Sequence, residues 1–384
     1  MIKGLVGLMA GRAVKAAVGL TYVGSIAAGA FSTGVEVVHF FTYFGSLGIL
    51  SVILATLLFT ILPVIGLEYA RLTGFYDYGR FVKSLIGGRL FILFELTYVA
   101  IVTLFISAVI AAGGELLQSI LGISKYYGLA IMYVASVIVV TLGRRVVLGA
   151  EATLTMIKIS IITLATVTVI LLSWGKVNYS LHHIINPSGW LNNPLGFLES
   201  PILYVSYNLV GLPAMASVAQ DLRSRRDVVE SSLIGGLTLG LMIALEYLAT
   251  MGYYNLATNP SYQFANLPIY YALLYSKAPY GLTILYVIFL YIALLTALIG
   301  NMNSITYRAE VALRGRRLVR PIVTIIMLTI AAVIATSGLY YIVATGYTYL
   351  SYAFLALFTI PLASVGTYRA FIKHPKAVED RHGG

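Results

Sequence analysis

A carboxylate and an imidazole, Glu36 and His39, stand one helical turn apart in an apolar run, just behind Gly29, Ser32, Thr33 and Gly34. Breakers at the centre of such a run free backbone groups. At membrane depth those groups are tolerated only against protein or a watery cavity. The stretch "YVSYNLVGLP" at 204–213 has the same character, with Ser206, Asn208, Gly211 and Pro213 in an otherwise apolar segment. The chemistry on offer is ligand binding rather than bond making. Amides freed near Phe31 to Gly34 would form a half-helix N-terminus with partial positive charge, suited to a carboxylate, and the Ser32 and Thr33 hydroxyls would add donors. An ammonium group would go to the carbonyls that end the inner half, or to the second break. Glu36 has three readings: a proton carrier, a counter-charge for a cationic substrate, or a cap on the broken half-helix. For either break alone, a plain kink or close helix packing explains the small residues equally well. Two breaks at corresponding positions favour a binding site.

Lys158 is the one Lys or Arg set well inside an apolar segment, about 8 residues, or ~12 Å, from its end. A buried ammonium is costly, so such a residue pairs, faces water or carries function. The competing reading is a side chain that snorkels to the interface. The run "TALIGNMNSITY" supplies Thr296, Asn301, Asn303 and Ser304 as polar neighbours on one helix. Among the other acids, Glu95 is a partner for Lys158 or for an interfacial Arg, and Glu199 and Glu246 fall nearer the opposite side. Tyr98, Tyr204 and Tyr207 are placed to cover a substrate, although in a chain with 29 tyrosines packing explains any single one.

The elements that must position these residues follow from composition. Of 384 residues, 59% are hydrophobic and 10% charged, and the mean hydropathy is +0.91. That profile belongs to a polytopic membrane protein. Spanning hydrocarbon takes ~20 apolar residues as a helix, and continuous windows of that length exclude the short alternating strands of a barrel. Spans are expected near 13–43, 46–70, 89–117, 126–143, 150–173, 194–219, 228–254, 280–307, 320–338 and 342–371, ten in all. A short amphipathic piece, "DYGRFVKSLIG" at 77–87, is expected on the membrane surface. The first apolar run continues into "VEVVHFFTYFG", which reads as a retained helix rather than a cleaved signal peptide. With no cysteine there is no disulfide or thiolate metal site. His182 and His183 without a nearby carboxylate are a weak metal pair; no metal or cofactor is expected.

The net charge of +11 comes from loops. Of the 25 Lys and Arg residues, all but Lys125, Lys158, Lys176 and Lys277 fall on one side of this arrangement. By the positive-inside rule both termini are then cytoplasmic, in the cell membrane, with an even number of spans. Basic residues scattered over loops, with no stripe and no interleaved aromatics, also argue against nucleic acid as a partner.

Ten spans divide into two groups of five. Residues 1–173 form the first repeat, 174–193 an external connection, 194–371 the second repeat and 372–384 a cytoplasmic tail. Because five is odd, the second group enters the membrane inverted, the arrangement of many secondary transporters. The fold expected is therefore all-α, a five-plus-five inverted repeat with helices 1 and 6 discontinuous.

The residues "AGAFSTGVE" at 28–36, followed by "FF" and "FG", resemble the first-helix motif GAGFASGQE of the uncharacterised YkvI-like membrane proteins. Phe31, Gly34 and Glu36 match that motif directly; Val35 stands where it has Gln, and Ala28 and Ala30 where it has Gly. Those proteins look like a branch of the amino acid-polyamine-organocation superfamily, with the fold of the bacterial leucine transporter (LeuT). The resemblance implies a substrate pocket formed by the broken first and sixth helices. It puts Gly29, Ala30, Phe31, Ser32, Thr33 and Gly34, with Ser206, Tyr207, Asn208 and Gly211, around the ligand. It further implies that Lys158 is the fifth-helix lysine that replaces Na+ in proton-coupled members, touching helices one and eight near Asn301 and Ser304.

The function expected is secondary transport of a small amino acid or amine by alternating access, coupled to protons. The competing class is a transporter-like sensor that binds its ligand without moving it. An intramembrane enzyme has no support, since no Ser-His pair, metal-ligand cluster or intramembrane Asp pair is present.

Overall fold

The computed structural model describes residues 2–27, 29–142, 144–184, 193–313 and 319–373, and they contain no strand. Their helices are α1 (Ile2–Ile26), α2 (Val35–Phe40), α3 (Gly48–Thr73), α4 (Tyr78–Leu121), α5 (Lys125–Leu142), α6 (Arg144–Leu172), α7 (Trp174–His183), α8 (Gly196–Asn208), α9 (Leu212–Ser217), α10 (Arg225–Met251), α11 (Tyr254–Ala257), α12 (Pro268–Tyr275), α13 (Tyr280–Ala312) and α14 (Val319–Ala335). The last, α15 (Leu339–Lys373), carries repeated π-turns. Arg314, Arg316, Arg317, Lys376 and Arg381 lie outside the described residues.

Among the described residues, five helices are long and apolar enough to cross a membrane, six if the bent pair α6–α7 is one span. That is fewer than the ten expected from windows. The first and sixth windows are each divided between two helices, and those near α5 and α14 hold only shorter apolar helices, Lys125–Val140 and Val319–Ala335. The external connection is partly helical: α7 leaves α6 at 79°, and 185–192 lie outside the described residues. Gly87, at φ 81° and ψ 164°, separates the amphipathic piece from the rest of α4, where the sequence placed the boundary. Asp77 begins that piece by accepting the Arg80 amide at 3.0 Å.

Ile53, Leu57 and Ile61 recur at helical spacing on α3, each about half exposed, as a lipid-facing stripe requires. Charges gather around the start of α10, from the end of α3 and the middle of α1. Glu68 on α3 receives two bonds from Arg71, each 2.8 Å, and lies 3.4 Å from Arg225 on α10. Lys15 on α1 bonds Glu230 and lies 3.6 Å from Asp227. Ser224 and Asp227 close a reciprocal capping box at the start of α10.

Packing sorts the helices. α10 lies against α3 and α1, with α8 on α3 and α9 on α1; α4 lies against α5, α13 and α14. α6 touches α1, α10 and α13, so it stands at the seam between the two groups.

Candidate functional site

The first apolar run is interrupted. α1 ends at Ile26, Gly29 takes φ 61°, Phe31–Thr33 form one 3-10 turn, and Gly34 at φ 87° opens α2. A Cβ on Gly34 would meet Ile269 Cγ1 at 2.8 Å, so both conformation and space demand glycine there. The turn satisfies much of the backbone that the sequence left free. The Thr33 amide bonds Ala30 O at 3.1 Å and the Gly34 amide bonds Phe31 O at 2.9 Å. The Thr33 hydroxyl donates to Ala30 O at 2.6 Å and accepts the Val35 amide at 3.3 Å. Three residues suffice to close these bonds, which is why the amides of Thr33 and Gly34 and the Thr33 hydroxyl are not open to a ligand. Ser32 Oγ, by contrast, is buried with no hydrogen-bond partner. The Ser32 carbonyl accepts the Tyr286 hydroxyl at 2.7 Å, a contact from α13 that no sequence pattern announced.

The second interruption is milder than its sequence suggested. Leu209–Gly211 tighten into one 3-10 turn between α8 and α9, and Asn208, Gly211 and Leu212 keep right-handed helical angles. Pro213 sits in the first turn of α9, where a missing N–H costs nothing. Ser206 donates to Ile202 O at 2.7 Å and Asn208 to Tyr204 O at 3.0 Å, so both side chains are spent on their own helix.

Where the last turn of α1 meets the second interruption, a cavity of about 220 Å³ opens. Gly24 and Ser25 line it from α1, and Val210 and Gly211 from the second turn. Tyr98 and Phe105 of α4 and Lys158 of α6 form further wall, and Thr296, Gly300, Asn301 and Ser304 of α13 complete it. Gly211 is needed for closure, because a Cβ there would collide with Ser25 Oγ. Lys158, only 5% exposed, also borders a smaller void with Ser32 and Tyr286. Of the residues named from sequence, the structure thus brings Tyr98, Lys158, Gly211, Asn301 and Ser304 to one wall, with Ser32 in the adjoining void. Gly29, Ala30, Phe31, Thr33, Gly34, Glu36, Ser206, Tyr207 and Asn208 do not line the cavity. Helix one contributes its inner end instead, at Gly24 and Ser25, which sequence reasoning missed because they precede the breakers.

On the cavity wall Ser25 and Gly300 are exposed, and Phe105 belongs to a layer of rings. Phe105, Tyr207 and Tyr347 pack tilted or edge-on with centroids 5.2–6.1 Å apart, and Phe40 and Tyr204 continue the layer. Above it Glu36, 4% exposed, accepts the Tyr207 hydroxyl at 2.7 Å. His39 Nε2 lies 3.2 Å from Thr348 Oγ1. Below the cavity the Arg308 guanidinium sits 3.7 Å from the Tyr98 ring centroid and 3.3 Å from Glu95, so Glu95 pairs with an interfacial arginine. Glu199 is held by Tyr352 at 2.6 Å and Asn193 at 2.7 Å. His182 and His183 each bond the carbonyl one turn back on an exposed helix. No group of three His, Asp or Glu able to hold a metal occurs among the described residues.

The described residues are helical and apolar, and the class they define is by fold that of LeuT-type secondary transporters. Three solved structures share it. The chain aligns with a Na+-coupled sialic acid symporter in a substrate-bound outward-open state (TM-score 0.62, 12% identity, 91% of this chain and 78% of that one). It aligns with a mutant of the Eremococcus coleocola manganese transporter (TM-score 0.58, 14% identity, 91% and 79%). It also aligns with Mhp1, a nucleobase-cation-symport-1 family transporter in a closed conformation with bromovinylhydantoin bound (TM-score 0.55, 12% identity, 92% and 76%). All three relatives are transporters rather than enzymes. In sequence, the chain is similar to the uncharacterized membrane protein YkvI of Bacillus subtilis (strain 168), 23% identical over 296 residues, 75% of this chain and 79% of that protein. The resemblance read from the first helix therefore extends along most of the molecule. No family model matches.

Proposed function

We propose that the protein is a proton-coupled secondary transporter of a small amino acid, working by alternating access across the cell membrane with both termini cytoplasmic. In this reading ten spans form two inverted groups of five, residues 1–173 and 194–371, joined outside by 174–193. The observation that carries it is the cavity of about 220 Å³ between the last turn of α1 and the second helix interruption, beside Lys158. Its size suits a small solute, well below the ~300–1,000 Å³ of sites for drug-sized ligands.

The lining selects the cargo further. Lys158 brings an ammonium, Tyr98, Thr296 and Ser304 bring hydroxyls and Asn301 an amide, and no Asp or Glu is on the wall. A substrate bearing a carboxylate is attracted to such a surface, and a polyamine without one is repelled. This favours the amino acid over the simple amine. The helix carbonyls near the ends of α1 and α8 would hold its ammonium group.

The coupling assignment gives Lys158 the role a metal cation plays elsewhere. A lysine on α6, the helix that touches both α1 and α13, can hold those helices together when charged and release them when neutral, so proton movement and helix movement become one event. The named cargoes and ion of the structural relatives, sialic acid with Na+, manganese and a hydantoin, differ from one another, so the shared fold leaves the cargo to the lining residues.

Uptake of radiolabelled amino acids into proteoliposomes, with and without an inward proton gradient, tests the reading. Gradient-dependent accumulation is expected for the wild type. Lys158→Ala should abolish gradient-driven accumulation and weaken ligand-dependent thermal stabilisation. Full retained coupling in Lys158→Ala would overturn the assignment, and binding without accumulation in the wild type would mark a sensor.

A further inference from the structure

The far end of α4 carries a second polar pocket, of about 200 Å³, between the start of α5, the connection from α11 to α12 and the corner from α14 to α15. Glu115 lines it from α4 and Lys125 from α5. Glu115 is only 7% exposed; its Oε1 accepts the Leu339 amide at 3.1 Å, and its Oε2 has no hydrogen-bond partner. Lys125 forms no hydrogen bond or ion pair among the described residues, its ammonium lying 5.9 Å from the Tyr126 ring centroid. Gly338 faces both groups. A Cβ there would stand 3.3 Å from Glu115 Oε1 and 4.0 Å from Lys125 Nζ, and beyond its chain neighbours it would meet nothing else within 4 Å. A carboxylate and an ammonium thus look into one gap without closing on each other, and a carboxyl oxygen buried without a partner calls for one.

We propose that this pocket is a second ligand site, for a small zwitterion of the amino-acid type whose ammonium group meets Glu115 and whose carboxylate meets Lys125. A bare cation is repelled by Lys125 and a simple anion by Glu115, so a molecule carrying both charges complements the gap. The polar wall agrees. Gln263 Oε1 accepts the Tyr271 hydroxyl at 2.8 Å and Asn266 Oδ1 accepts the Tyr340 amide at 3.0 Å, which fixes both side chains and leaves their N–H groups as donors to a carboxylate. Gly338, at φ 95° and ψ 153°, holds a conformation that only glycine adopts freely, and its bare Cα keeps the space between the two charges open.

The pocket is separate from the cavity beside Lys158. Tyr98, on the cavity wall, and Glu115 are 17 positions apart on α4, a rise of ~25 Å along the helix. The two linings share no residue. The assignment draws on this pocket's own charges, so it holds whether or not the protein transports.

Because the chain has no cysteine, Ser337→Cys places a single thiol on the exposed rim of the pocket. Its rate of reaction with a maleimide is measured on the purified protein with each of the common amino acids in turn, and then with the amide and N-acetyl forms of those that protect. At least one zwitterionic amino acid is expected to slow labelling, and its amide and N-acetyl forms, each lacking one charge, to leave the rate unchanged. Lys125→Gln and Glu115→Gln should each weaken protection about 10- to 100-fold, the loss of one charge-assisted contact. Lys125, half-buried at the start of α5, carries the test if the Glu115 variant fails to fold. Protection should persist in Lys158→Ala. No protection by any amino acid, equal protection by the single-charge forms, or protection indifferent to Lys125→Gln would overturn the proposal. Loss of protection in Lys158→Ala would assign the effect to the other cavity and overturn it too. A protein that accumulates amino acids yet shows no protection at Ser337→Cys fails this proposal alone, and one that protects without accumulating fails only the transport reading.

Discussion

At the residue scale the site turns on polar groups placed in an apolar interior, where each needs a named partner. Glu36 has one in the Tyr207 hydroxyl, which donates to it at 2.7 Å in a fully covered position. Tyr207→Phe keeps the ring in the aromatic layer and strips the carboxyl of that bond. It should lower stability by about 1–3 kcal/mol, the usual cost of leaving a buried polar group unsatisfied. Thermal unfolding in detergent measures this, and a double-mutant cycle with Glu36→Gln should show the two effects to be non-additive. Lys158 is a different case. It borders the cavity and the Ser32 void together, so a change there reaches helix one and α13 at once.

At the element scale, the interruption between α1 and α2 depends on glycines whose backbone other residues resist. Gly34→Ala should cost about 1–2 kcal/mol for the left-handed conformation, plus a term for Ile269 at 2.8 Å from the new methyl. Gly74→Ala is the control: φ 70°, with nothing within 4 Å. The difference in melting temperature between the two variants isolates the packing part, and equal melting temperatures would mean Ile269 yields freely. Gly211→Ala acts on the cavity instead. Its methyl would drive Ser25 away from the second turn, so weaker ligand binding is expected in a thermal-stabilisation assay, with modest loss of stability.

At the scale of the whole molecule, the cavity wall carries both exposed residues and a packed layer of rings. Ser25 and Gly300 are exposed, and Phe105 on the same wall packs against the Tyr207 and Tyr347 rings. Alternating access would require those rings to part. The chain has no cysteine, so single-cysteine labelling needs no engineered background. Ser25→Cys and Gly300→Cys should react with an impermeant thiol reagent only from the face bearing the basic loops, and bound substrate should protect Ser25→Cys. Val38→Cys, on the fully buried α2, should stay unlabelled from that face. Fast labelling of Val38→Cys from both faces would contradict a closed ring layer.

The amino-acid sequence by itself determined what is local. Apolar windows placed the long helices α3, α4, α10, α13 and α15, Gly87 marked the joint of the amphipathic piece, and Gly29 and Gly34 marked the first interruption, because periodicity and positive φ act within a few neighbouring residues. Lys158 stood out for the cost of burying its charge, which holds whatever packs around it. The rest depended on tertiary packing. The second interruption is only a tightened turn, since glycine and proline also fit ordinary helix angles when the neighbouring chain allows. The cavity took its helix-one wall from Gly24 and Ser25 rather than from the breakers, because approach of α1 to Gly211 decides which backbone faces the gap. Tyr207 on Glu36 and Tyr286 on Ser32 join segments far apart in the chain, and the meeting of such segments is set by how whole helices settle against each other.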